Sequence, residues 1–367
     1  VPCPSHAMAR VLWGRCTSPI VCAPMIAQSE AAFRVLCRAH GVGLCYTPMW
    51  YAEALVDSEE YRRANMDLGH ANDSPTVAQI AGDDPVVMAR AAVICARAGA
   101  DAIDINLGCP TEDARQGGRK TICPKTRRYG AYLLEDTSTV VGIVRAVARS
   151  GIDIPVMAKI RLLQSDVATI ATCRAIVDAG ASGLCVHGRT KDNRPKYGGG
   201  PADMRPIAAV RRALPPEVLV LANGGIETRG DAEACIIDTG VDGVAAAEGL
   251  LENPALAEGG ELTDLQRLGL ASEYLALCRQ MPSNLPYPPY KPHLLKILYR
   301  YLECDDELHE RFSRTKGTDL DSIEAFVALL AARLQEGNLP AGTPWYRRWR
   351  EGKRLVQQVA NPRKRPQ

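Results

Sequence analysis

The stretch Asp101 to Pro110, DAIDINLGCP, carries the side chain best placed for chemistry in this chain, the thiol of Cys109. The run alternates apolar and polar residues, as a buried strand does, and then breaks at Gly108, Cys109 and Pro110. Glycine lets a backbone turn sharply, and proline forbids continuation of the strand. A thiol on a rigid turn at the end of a core strand is either a reactive group or a buried structural cysteine, the commoner fate of a free thiol. Gln79, Asn106, Lys159, His187, Arg189 and Asn223 stand in equivalent places, at or just after the ends of apolar runs. Singly, each reads as a cap or loop residue. Gathered with Cys109 at one end of the strands, they outline an active site. Two glycine turns, ANGGI from Ala222 and AEGL from Ala247, add exposed backbone amides of the kind that cradle phosphate.

The elements that must position these groups repeat as strand, turn and amphipathic helix. Strands are expected at 20–23, 43–47, 76–80, 102–106, 155–160, 183–187, 218–222 and 243–247. Helices are expected between them, with Ser29 capping the first and Ser138 the one after the fourth strand. Eight strand–helix units over about 230 residues indicate an α/β fold, a TIM (β/α)8 barrel. A doubly wound sheet is the alternative, disfavoured by the count of eight and by the lack of GxGxxG after the first strand. From about residue 260 the pattern turns helical, with helices at 262–281, 291–303 and 322–336 around a proline-rich connector, SNLPYPPYK. The expected organisation is an N-terminal segment (1–19), a catalytic barrel (20–260), a small helical RNA-binding domain (261–344) and a basic tail (345–367).

Composition narrows the class. The 367 residues are 46% hydrophobic and 23% charged, ordinary for a soluble globular protein. No apolar run is long enough for a membrane span, and the N-terminus lacks the core of a secretory signal. The chain starts with Val1 rather than Met, and so reads as a fragment or processed form. Thirteen cysteines contain no CxxC pair, which argues against a zinc module and leaves no expected metal site. Their apolar settings suit a reducing cytoplasm or nucleus. The net charge of +2 hides two basic segments: 115–128 is net +6 and 345–367 net +7, leaving the remainder at −11. In the tail Trp345, Tyr346 and Trp349 interleave with Arg347, Arg348 and Arg350. Such segments either contact a polyanion or form a solvated face, and the aromatics either stack on bases or pack on the protein.

The motifs APMIAQSE, CYTPM, VAQIAGDDP, DINLGCP, YGAYLLED, KIRLL, VHGRT, ANGGI and AEGLLENP follow one another between Ile20 and Glu258. In this order the chain resembles the tRNA-dihydrouridine synthases, most of all the eukaryotic branch acting on positions 16 and 17 of the tRNA D-loop. The resemblance implies an FMN-binding barrel reduced by NADPH or NADH, with tRNA as substrate, working as a monomer. It implies that Pro24 and Met25 run along the flavin edge, that Gln79 bonds the pyrimidine part, and that Lys159 lies against the reduced ring. His187, the turn Asn223, Gly224 and Gly225, and Glu248 with Gly249 would hold the ribityl phosphate. Asn106 would bridge flavin and substrate, Cys109 would donate a proton, and Arg161 and Arg189 would meet the substrate. Reduction of the uracil 5,6 bond needs a hydride at carbon 6 and a proton at carbon 5. An ordinary thiol, with a pKa of about 8.5, is mostly protonated at neutral pH and can supply that proton.

One departure stands out. Between Gly117 and Tyr129, where the family has almost nothing, GRKTICPKTRR intervenes with five Lys/Arg. It is either an added RNA clamp or an insertion that loosens the loop bearing Cys109; Cys123 within it reads as incidental. Ala27 stands where the family often has an acidic residue. Other readings are an FMN barrel acting on a small molecule, a catalytically impaired tRNA-binding protein, and an aldolase-type barrel using Lys159. If the tail meets phosphates, deleting 345–367 weakens tRNA binding and lowers the slope of log affinity against log salt by several units. A salt titration of tRNA binding checks this; an unchanged slope means that the tail touches no phosphate.

Overall fold

Short runs rich in Val, Ile, Leu and Ala form the staves of a barrel because both of their faces are buried. The computed structural model describes residues 4–193, 200–285 and 287–343. The strands are β1 (Ile20–Cys22), β2 (Leu44–Tyr46), β3 (Trp50–Tyr51), β4 (Thr76–Ala81), β5 (Ala102–Leu107), β6 (Val156–Arg161), β7 (Gly183–His187), β8 (Leu219–Asn223) and β9 (Gly243–Ala246). All pairings are parallel, and contact of β2 with both β1 and β4 closes the sheet. Eight strands are staves; β3 is a two-residue addition beside the end of β4. The chain is thus a TIM barrel followed by C-terminal helices.

Alternation along each stave sorts the interior into layers. Val21, Leu44, Val77, Ala102, Met157, Cys185, Leu219 and Leu221 fill the lower barrel with apolar side chains. A helix not foreseen in the sequence, Pro4–Gly14, closes the bottom, with Ala9 and Leu12 joining that cluster. Its Arg10 bonds the carbonyls of Glu217 and Val218 and pairs with Asp242. Above the apolar layers come polar ones, starting with Gln79 beside Asp104 and Asn106 beside Lys159.

The outer helices follow the expected alternation, but two caps differ. Ser29 does not cap Ala31–Ala39; its hydroxyl accepts from Met25 N and donates to Met25 O, tying up the turn after β1. Asp136, not Ser138, caps Thr137–Ala148, because its carboxylate reaches the amide of Thr139. After the barrel, Asp264–Gln280 begins with a capping box between Thr263 and Gln266. The single helix expected at 291–303 is two, Tyr290–Ile297 and Tyr299–Leu302; Asp306–Arg314 was not foreseen, and Leu320–Gln335 is last. The tail at 345–367, with its arginines and aromatics, lies outside the described residues.

Two polar clasps tie these helices to the barrel. Buried Glu30 accepts from Tyr274 Oη at 2.7 Å and pairs with His293 Nε2 at 3.0 Å, while Phe33 stacks on the His293 ring. Nearer the surface, His40 bridges Glu258 at 2.7 Å and Glu273 at 2.9 Å. Partial burial opposes its charge, but the bonds to Glu273 and Glu258 prevail and raise its pKa. A histidine whose folded pKa lies above its unfolded value stabilises the fold fully below the unfolded value, and loses that contribution as pH rises through the folded one. His40→Ala should therefore lower stability more at about pH 5.5 than at about pH 8.5, as read by urea denaturation. An equal loss at both pH values would show that the charge on His40 contributes nothing.

Candidate active site

The turn carrying Cys109 is held from four directions. Asn106 Oδ1 accepts from the amides of Gly108 at 3.2 Å and Cys109 at 3.0 Å. Arg161 Nε donates to Gly108 O at 2.8 Å and its Nη1 to Thr190 O at 3.0 Å, so this arginine splints two rim loops as well as lining the cleft. Ala131 N donates to Cys109 O at 3.0 Å. Gly130, with φ +66°, packs so closely that a Cβ there would come within 2.5 Å of Cys109 O. On the sulfur itself, Cys109 Sγ lies 3.2 Å from the hydroxyl of Thr111, which also caps the short helix Glu112–Gln116.

That thiol borders a cleft of about 270 Å³ at the C-terminal mouth of the barrel. Pro24, Gln79, Asn106, Cys109, Lys159, Arg161, His187, Arg189, Asn223, Gly224, Gly225 and Glu248 all line it. Met25 and Gly249 do not; Met25 packs against the core outside the barrel, and Gly249 borders a separate pocket behind the β9 turn. Lys159 Nζ donates to Asn223 Oδ1 at 2.8 Å, and Asn223 Nδ2 donates to Ala245 O at 2.7 Å. Burial holds the Lys159 ammonium below the usual lysine range. Burial, reinforced by Arg161, Lys159 and Arg189, keeps His187 well below the usual imidazole range and so neutral, with its buried Nδ1 unpaired. Gly224 and Gly225 take φ of +107° and +76°, the left-handed region that favours glycine. Arg189 Nε donates to Gly200 O at 3.1 Å at the exposed rim. Sequence reasoning missed the apolar lip of Ile26 and Met49, which carries no polar signal, and Asp104, which lies beneath the cleft.

The insertion leaves the Cys109 turn intact. Its ends meet where Tyr129 N donates to Ala114 O at 2.9 Å, so the extra residues bud off beside the turn. They are seated by one buried carboxylate: Glu53 accepts from Lys125 N at 3.0 Å, from Thr126 N at 2.8 Å and from Thr126 Oγ1 at 2.8 Å. Three of its five cations are neutralised, Lys125 by Asp57, Arg127 by Asp83 and Arg128 by Asp136. Lys120 Nζ donates to Thr126 O, and Cys123 is buried, its Sγ 3.2 Å from Gly117 O. Among the described residues no group of three or more His, Cys, Asp or Glu could hold a metal ion, and no helix is long and apolar enough to cross a membrane.

Residues 21–299 match the family model described as dihydrouridine synthase (Dus). The chain belongs to this family. A Rattus norvegicus protein named as tRNA-dihydrouridine(16/17) synthase-like is 38% identical over 317 residues, 86% of this chain and 67% of its own length. A Schizosaccharomyces pombe tRNA-dihydrouridine(16/17) synthase is 33% identical over 325 residues, 86% of this chain and 78% of that protein. The chain spans 62% of the similar Mus musculus protein. Among solved structures, histamine dehydrogenase from Rhizobium sp. 4-9 superposes with a TM-score of 0.50 over 71% of this chain and 49% of that one; at 12% identity it speaks for the barrel fold alone.

In this family member the seat of the insertion is testable. Glu53→Ala strands the buried amide and hydroxyl of Thr126 and should destabilise the insertion by about 2 kcal/mol. Limited trypsin cleavage at Lys120 and Lys125 should then rise about tenfold or more. Asp57→Ala, which removes only an exposed ion pair, should leave cleavage within about twofold. Equal cleavage of the Glu53 variant and the parent would mean that the carboxylate does not seat the loop.

Proposed function

We propose that this chain reduces the 5,6 double bond of uridines at positions 16 and 17 of the tRNA D-loop to dihydrouridine, using FMN and NADPH or NADH. The reading rests on the convergence of Cys109, Lys159, His187 and the Gly224–Gly225 turn on one barrel-mouth cleft, in a chain whose relatives include proteins named tRNA-dihydrouridine(16/17) synthases. The donor set fits FMN. The turn at Gly224 and Gly225 offers backbone amides to phosphate, beside a neutral His187 with an unspent ring nitrogen. Lys159 sets a cation against charge developing on the ring, and Pro24 lies along the wall. Bound there, FMN supplies the hydride that carbon 6 of uracil takes up.

The chain's own residues do the rest. Asn106, Arg161 and Gly130 hold the Cys109 turn, so the thiol meets the base at a fixed place. The thiol gives its proton to carbon 5, and the Thr111 hydroxyl, 3.2 Å away, can donate to the thiolate left behind. The base must leave its stack to enter the cleft, and Arg189 at the rim is placed to meet the RNA around it. Cys109→Ala should bind FMN and tRNA normally, while dihydrouridine formation falls about 100-fold or more, measured by mass spectrometry of reacted tRNA. Turnover at the parent rate would remove the acid role from Cys109.

A further inference from the structure

The catalytic cleft has a neighbour. A second pocket, of about 310 Å³, opens beside it, walled by β3, the helix Glu59–Asn65, the segment 281–285 that leads into the C-terminal helices, and the insertion. Trp50, Tyr51, Met66 and Pro282 give it an apolar and aromatic lining. Two of its carboxylates, Glu30 and Asp67, are already paired, with His293 and Arg34. Asn65 and Asn284 also line it. Each uses an amide N–H on a backbone carbonyl, of Tyr61 and Arg63 respectively, which leaves the amide oxygen to accept from a ring N–H such as that of uracil. At the rim stands Arg119. The other four cations of the insertion are taken up by acids or a carbonyl; among the described residues, Arg119 has no such partner.

Ile26 and Met49 belong to both pockets and form the lip between them. Ile26 is 58% exposed, on the turn after β1. Val86, Val167 and Ile237 are more exposed still, but they lie on outer helices, away from any cleft described above. The turn that carries Ile26 is stiff. Gln28 N donates to Met25 O at 3.1 Å, and the Ser29 hydroxyl bonds both Met25 N and Met25 O. Ala27 takes a φ of +54°, in the left-handed region that side chains seldom adopt. An apolar side chain held out on a rigid support between two pockets has the form of a wedge. Isoleucine and methionine are among the residues that proteins insert between successive bases to unstack them.

We propose that Ile26 separates two successive bases of the RNA, one entering the catalytic cleft and its neighbour in the chain entering the second pocket, with Arg119 meeting the backbone beside it. The proposal rests on the tRNA reading given above. Positions 16 and 17 adjoin, so each is the other's neighbour, and the pocket holds one while the other reacts. A base drawn from its stack loses contacts on both faces. Lodging the adjacent base against Trp50 and Tyr51 offsets part of that loss.

The test measures the affinity of the whole chain for two tRNA transcripts by fluorescence anisotropy. Both carry uridine at position 16; one carries uridine at position 17 and the other an abasic site. Ala64→Trp fills the second pocket from a residue that does not line the cleft. Ile26→Ala removes the wedge from an exposed position. The abasic site should weaken binding to the parent about tenfold. Each variant should bind the intact transcript about fivefold to tenfold more weakly than the parent does, and the abasic site should then cost it less than about twofold more. Losses that simply multiply, within about twofold, in either variant would overturn the proposal. Should Ala64→Trp not fold, Ile26→Ala decides alone. An Ala64→Trp protein that binds both transcripts as the parent does but loses affinity for NADPH would also overturn it, giving the pocket to the reductant. A parent that binds tRNA yet forms no dihydrouridine would sink the reaction proposed above, and the affinities would still judge the wedge. A parent that binds neither transcript would overturn both.

Discussion

Everything at the mouth of this barrel depends on the alternation of side chains along closed parallel strands. Every second residue of a stave must point inward, and the enclosed space has no water to satisfy a polar group. The lower interior is therefore mostly Val, Leu, Ala and Met, with Cys185 and Tyr46 among them, down to the helix Pro4–Gly14 that closes the bottom. Polar side chains enter only where the staves approach the open end, and there they must find one another. Lys159 finds Asn223, Gln79 finds Asp104 and Asn106, and Asn106 finds the backbone of the next turn. The site is a polar layer resting on an apolar plug.

That arrangement explains why a cysteine on a loop can be as well placed as one on a strand. The Cys109 turn is fixed by side chains rooted in β5 and β6 and by the close approach of Gly130. The eleven residues at 118–128 join this assembly from outside it, since the backbone pairing of Tyr129 with Ala114 closes their base. The loosened-loop reading gives way to a docked side loop, most of whose charges meet local acids.

Much of this was legible in the residues. The apolar runs that become β1, β2 and β4 to β9 announce themselves because a stave buried on both faces cannot hide its composition. The polar residues at their ends were visible for the same reason, as interruptions. What could not be read depended on partners distant in the chain. Asp104 looked like one more polar alternation within a strand, and only the pairing of β4 with β5 sets it beside Gln79. Ser29 and Ser138 have the chemistry of caps, but Met25 claims the first, and Asp136 reaches the free amide before the second. Pro4–Gly14 is too short and mixed to signal a helix whose value lies in the barrel bottom that it covers.

The manner in which Glu53 receives the side loop has a consequence for how such a loop can change. Its carboxylate reads mostly main-chain N–H groups, which every residue but proline possesses. Mooring of this kind is nearly blind to the identity of the side chains it moors. Substitutions at the exposed positions of the loop can then accumulate without unmooring it, and its outward face becomes a surface that evolution can repaint beside an unaltered reaction chamber.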